Sequence, residues 1–162
     1  MKLRTIGAHW YSRRENLKVC TETLLSFLQN LELIDKESFG KWYEKGYSKE
    51  ASLQKQVLIK YSSIKKLLSK SGEDTDFPKI SFDLSIWNGK FNENKASDLT
   101  VSLGSDEEKF FTNNCVINLS VDNEMENEKL LMLIELLDDS WKPEWIMIDD
   151  KKIVSPYKDM IV

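Results

Sequence analysis

Two pairs of adjacent acids, Asp138-Asp139 and Asp149-Asp150, are the residues of this chain best suited to chemistry. Carboxylates held close together can divide the roles of acid and base or share a metal ion. Their spacing argues against both uses. Neighbours on a helix point in different directions, and solvated acids are the default for such pairs. His9, the single histidine, lies between Ala8 and Trp10 with no Ser, Cys or acid at nucleophile spacing, so it reads as structural. Cys20 and Cys115 both sit in apolar-patterned segments, as buried free thiols do, and no CxxC or other metal-ligand spacing is present. Nucleophile elbows and phosphate loops are also missing from the sequence. These observations point away from an enzyme and call for no cofactor and no metal, which leaves recognition as the chemistry of this chain.

Charge narrows the partner. Residues 1–70 carry 14 Lys+Arg against 7 Asp+Glu, whereas residues 71–162 carry 9 against 20. With a pI near 5.2 and an acidic second half, the chain would repel phosphate, which disfavours direct nucleic-acid binding. A basic partner is favoured. The first residues, with Lys2 and Arg4, lack the apolar core of a signal peptide, and Leu130–Leu137 is too short and too interrupted to span a bilayer. A cytoplasmic protein with no membrane segment is expected.

The elements that would position these residues follow from periodicity. Leu3–Tyr11 reads as a strand. Ser12-Arg13-Arg14-Glu15 has the form of a capping box opening a helix with Leu17, Cys20, Leu24, Phe27, Leu28 and Leu31 inward. A second helix is expected from Asp35, with Phe39, Trp42 and Tyr43 apolar and Gly46 as its C-terminal cap. Ser48 opens a short helical turn, and Tyr61, Ile64, Leu67 and Leu68 mark a third helix. An acidic turn, Gly72–Pro78, leads into Ile80–Gly89. There Ile80, Phe82, Leu84 and Ile86 alternate with Ser81, Asp83 and Ser85, the period-two pattern of a half-buried central strand, closed by Asn88-Gly89. Leu99–Leu103 forms a hairpin with it, and Cys115–Val121 is a third strand. A helix over Glu126–Ser140 turns Leu130, Leu131, Ile134, Leu137 and Trp141 inward, and Trp145–Ile148 is a last strand. The expected fold is α+β: one domain over 1–162, a mainly antiparallel sheet with helices on one face, in the order β-α-α-α-β-β-β-α-β.

The expected contact surface is the polar side of the Ile80–Gly89 strand. Asp83, Ser85 and Trp87 lie in a row there, an acid, a hydroxyl and an aromatic anchor. Asp106, Glu107, Glu108, Asp138, Asp139, Asp149 and Asp150 would surround that row with negative charge if the fold brings them to the same side.

Three stretches resemble the immunity protein 52 family of bacterial polymorphic-toxin systems. They are Trp10-Tyr11-Ser12-Arg13-Arg14-Glu15, then Trp42-Tyr43-Glu44-Lys45-Gly46-Tyr47-Ser48-Lys49-Glu50-Ala51, and Ser81-Phe82-Asp83-Leu84-Ser85-Ile86-Trp87-Asn88-Gly89. The second is similar to a W–Y–x–x–G–x–S–x–x–A pattern and the third to a strand ending in W–N–G. Together they span residues from about 9 to 104, in family order. His9-Trp10-Tyr11 departs from the family, which more often has Tyr-Trp-Gly there. The resemblance implies a non-enzymatic inhibitor that binds a cognate toxin, often a nuclease of the restriction-endonuclease superfamily with a basic cleft. It also implies that the motif tryptophans shape the core. The competing reading is a scaffold or regulatory binding module unrelated to toxins.

Because no ligand set is spaced for a metal, the gently purified protein is expected to carry none in stoichiometric amount. Elemental analysis checks this, and a metal lost in a His9→Ala variant would contradict it.

Overall fold

The computed structural model describes residues 4–70, 81–92, 94–108, 113–119 and 125–154. Ile80, Val121, the acidic turn 72–78 and the end of the chain lie outside the described residues. Strand alternation is realised as one eight-stranded sheet in the order β3-β2-β4-β5-β6-β1-β7-β8, with every neighbour antiparallel. The strands are β1 Thr5–Trp10, β2 Trp42–Glu44, β3 Gln56–Val57, β4 Phe82–Trp87, β5 Asp98–Leu103, β6 Asn113–Asn118, β7 Trp145–Ile148 and β8 Lys151–Val154. Among the described residues five helices accompany them: α1 Leu17–Ile34, α2 Lys36–Phe39, α3 Lys49–Ser52, α4 Tyr61–Lys70 and α5 Asn127–Trp141. The α+β class is as expected.

One sheet face is apolar because alternate residues of every long strand are. Ile6, Ala8 and Trp10 of β1, Leu84 and Ile86 of β4, Leu99, Val101 and Leu103 of β5, and Cys115 and Ile117 of β6 are all buried. Leu24, Phe27, Leu28 and Leu31 of α1, Ile64 and Leu68 of α4, and Leu133, Ile134 and Leu137 of α5 complete the same core. Helix α1 touches both α4 and α5. Fully burying one such side chain is worth about 1.5–3 kcal/mol, so this face supplies the main driving force for folding.

The structure corrects the expected elements in five places. Asn16, not Ser12, caps α1: its side chain accepts from the Val19 amide at 2.9 Å. Trp42 and Tyr43 are strand residues, paired with Val57 and with Trp87, so the second helix ends after Phe39 and Gly46 does not cap it. Aromatic side chains favour the pleated surface, and here a partner strand is available. The short strands β3 and β8 join the sheet at its two edges without an obvious alternating pattern in the sequence. The Ile80–Gly89 strand therefore lies third from one edge rather than at the centre, which falls between β5 and β6. Leu131 is 49% exposed while Leu133 is buried. At 100° per residue Leu131 points roughly 120° from Leu137, outside the stripe that Leu137 and Trp141 set.

The Arg13 side chain has the largest tertiary role in the polar segment between β1 and α1. Helix α5 ends at Lys142 in the left-handed region (φ 45°) before Pro143. Arg13 Nη1 donates to the Trp141 carbonyl at 2.6 Å and Nη2 to that of Lys142 at 2.7 Å. A cation on the last carbonyls of a helix complements its dipole. The guanidinium also lies 5.5 Å from the Trp10 ring centroid, and Trp10 stacks on Trp141 at 5.5 Å. Sequence reasoning placed Arg13 at the start of a helix, where it would be unfavourable; in space it sits at the end of another, where it is favourable. Arg13→Ala is expected to destabilise the protein by about 1–3 kcal/mol, with Arg13→Lys recovering only part. Urea denaturation followed by tryptophan fluorescence measures both.

Candidate binding surfaces

Register fixes what the face away from α1, α4 and α5 presents. From β4 towards β7, one row across it reads Asp83, Ser102, Asn114, His9 and Trp145. The next row is Ser85, Thr100, Val116, Gly7 and Met147, and the third begins Trp87, Asp98, Asn118 and Thr5. Most of these are small or polar, and neighbours satisfy one another. Ser85 and Thr100 hydroxyls meet at 3.3 Å. Asn118 Nδ2 donates to Asp98 Oδ1 at 2.6 Å, and Thr5 Oγ1 to Asn118 Oδ1 at 3.3 Å. Ser81 Oγ donates to Asp83 Oδ1 at 2.9 Å. Among the described residues no helix covers Asp83 or Ser85, and both are exposed, as the alternation requires.

Trp87 departs from the row. It is 9% exposed, and its Nε1 donates to Ser52 Oγ at 2.7 Å. Phe91 stacks on it at 6.1 Å. The side chain points to the face away from α1, α4 and α5, as expected, but α3 and the connection before it fold over it. It is therefore part of the protein's packing rather than an exposed anchor, and truncating it would disturb folding before it disturbed any contact.

The acids do not form one field. Asp106, Glu107 and Glu108 follow β5 at the sheet end that holds Phe82, Trp10 and Trp145. Asp138 and Asp139 close α5 near that same end, but Asp138 is only 9% exposed. Asp149 and Asp150 form the β7–β8 turn at the opposite end, beside Thr5. Asp149 is fixed there structurally: φ is 52°, and its Oδ1 accepts from the amides of Arg4 and Thr5 at 2.9 and 3.0 Å. A period-two strand shows which residues share a face, but not which loop ends share a side.

Each end is closed by a buried asparagine that sequence reasoning did not single out as such. Asn113 Oδ1 accepts from the Ser105 amide at 2.8 Å, and its Nδ2 donates to the carbonyls of Tyr11 and Ser105 at 2.9 Å. At the other end Asn88 Nδ2 donates to the carbonyls of Ser38 and Lys95, while its Oδ1 accepts from the Ser97 and Lys90 amides. Gly89 follows at φ 75°, and a side-chain carbon there would lie 2.5 Å from the Tyr43 ring. The W–N–G ending is thus a buried indole, a loop clip and a close approach to Tyr43. Its residues pack against the Trp42–Ala51 stretch.

These two stretches and the β1 exit are the segments that carry a family likeness, and the comparison extends it. The family model described as Immunity protein 52 (Imm52) matches residues 4–154. The chain belongs to the immunity protein 52 family. Curated proteins give no match to it. Membership makes this an immunity protein, for which the relevant partner is a cognate toxin. Among the described residues no group of three or more His, Cys, Asp or Glu could hold a metal ion, and no helix is long and apolar enough to cross a membrane.

The thiols of this Imm52 chain are shielded. Burial pushes Cys20 up to about 12 and Cys115 well above the ordinary thiol range, with an opposing contact from the Trp141 indole at Cys115. His9, stacked on Trp145 at 5.9 Å, is held below the usual imidazole value by burial. Its folded pKa lies below its unfolded one, so the stabilisation is present above pH about 6.5 and is lost as acid protonates the unfolded chain first. Stability is therefore expected to fall between pH 7.5 and 5.5 by more in the wild type than in His9→Gln. Denaturant midpoints at the two pH values provide the check.

Proposed function

We propose that this immunity protein neutralises its toxin by stoichiometric occupancy, without turnover, and that the toxin is a nuclease of the restriction-endonuclease superfamily. The carrying observation is family membership over nearly the whole chain. Charge supports the nuclease reading. An enzyme that acts on DNA must attract phosphate, and an acidic inhibitor is complementary to the same cleft. The contact surface we favour is the exposed polar face at Asp83 and Ser85, with Asp106, Glu107, Glu108 and Asp139 at the same end of the sheet. Trp87 and Asp138 contribute from within as support. Asp149 and Asp150, at the far end, belong to the contact only if the toxin spans the sheet, about 20 Å along six strand residues. Cytoplasmic action, where DNA is exposed to such an enzyme, fits this reading.

The test is a DNA-cleavage assay with the toxin domain encoded beside this chain's gene. An equimolar amount of the immunity protein should abolish cleavage. Reversing charge at Asp106, Glu107 and Glu108 together should slow association by about tenfold and flatten its salt dependence. Unimpeded cleavage at several-fold excess of folded immunity protein would overturn the reading.

A further inference from the structure

A groove of about 450 Å³ lies between the β2–α3 connection and the adjoining ends of β5 and β6. The function proposed above does not use it. Both distant motif stretches build it: Lys45, Tyr47 and Lys49 form the wall, and Trp87, Asp98 and Asn118 the floor. Buried indole and hydrogen-bonded floor residues give it a fixed shape. Trp87 Nε1 is held by Ser52, and Asp98 is held on both oxygens, by Asn118 at 2.6 Å and by Lys45 Nζ at 3.5 Å. Asp98 is thus locally neutralised, while a lysine ammonium has three N–H groups and can receive a further acceptor.

The rim is apolar and basic at once. Tyr47 is fully exposed at 105%, so its ring is open to a partner. Phe91, 45% exposed, has Lys49 Nζ 5.8 Å from its ring centroid. Lys45 and Lys49 line the groove against one acid, Asp98. That net sign is opposite to the acids following β5, which lie at the other end of that strand.

We infer that this groove seats an acidic loop of the toxin, an inference that rests on the toxin-binding reading. A carboxylate of that loop lies against Lys45 and Lys49, and an apolar side chain packs on Tyr47. An aromatic anchor beside desolvated charge is the usual composition of an interface hot spot. The groove's lysines and the acids following β5 lie at opposite ends of β5 and carry opposite charge, which favours one orientation of the toxin over the reverse.

The test uses the catalytically inactivated toxin domain encoded beside this chain's gene, immobilised, with the full immunity protein in solution. Tyr47→Ala removes only an exposed ring and should speed dissociation by at least about tenfold. Lys49→Glu should weaken binding by a similar factor and reduce its salt dependence, with thermal melts showing both variants folded. If both bind within about twofold of wild type while the acidic triple variant binds poorly, the groove inference falls and the toxin-binding reading stands. If the wild type itself does not bind, both fall. Retention of the wild type by duplex DNA at physiological salt, lost in Lys49→Glu, would assign the groove to nucleic acid and overturn the inference.

Discussion

The stack of Trp10 on Trp141 is the contact on which the rest of this architecture depends. It joins β1, which lies inside the sheet between β6 and β7, to the last turn of α5. Phe27 of α1 packs on the same Trp141 ring at 5.4 Å, so three elements meet at one indole. Stacked aromatics contribute about 0.5–1.5 kcal/mol beyond the area they bury. Arg13 then locks the geometry, since its guanidinium covers Trp10 and terminates α5 with two charge-assisted bonds. Residues near the start of the chain therefore complete a helix near its end. Contacts of such sequence separation carry a loop-closure entropy cost, which favours slow folding.

With three helices committed to one face of the sheet, the other face has to meet water. Its serines, threonines and asparagines hydrogen-bond to one another and to Asp98, and two buried asparagines clip the loops at either end. The result is a surface held rigid from below and pinned at its margins. For a protein that works by binding, preorganisation of this kind removes much of the entropic cost of association. It also explains the motif residues. Trp42, Trp87, Asn88 and Gly89 are buried or half-buried supports, as was expected of Trp42, whereas Trp87 was expected as an aromatic anchor of the contact, and they shape a surface whose exposed members are Tyr47, Lys49 and Phe91.

Legibility followed the physics of each signal. Strands with clean alternation, such as Leu99–Leu103, and the α1 stripe could be read because one face of each is uniformly apolar. Asp83 and Ser85 could be placed on the open face for the same reason. Trp42-Tyr43 was misread because aromatic residues fit either period, and only pairing with Trp87 decides for strand. The two edge strands were invisible: a two-residue strand has no period, and β8 begins with two lysines. The grouping of the acids failed at a different level. Which loops coincide depends on strand order, and the insertion of β1 between β6 and β7 carries no local signature. The role of Arg13 was hidden likewise, since its partners lie about 130 residues away.

The edge strands bear on how this protein can be kept in a cell. Its described margins are a two-residue strand at one side and a lysine-led strand at the other, with Lys152 Nζ drawn over the Trp145 ring at 4.2 Å. Neither offers a long, flat, uncharged template on which another copy could add a strand. An immunity protein that neutralises its toxin by occupancy, as proposed, would have to be held ahead of need and in excess of its target. Poorly templating margins disfavour edge-to-edge polymerisation at the concentrations such a reserve would need.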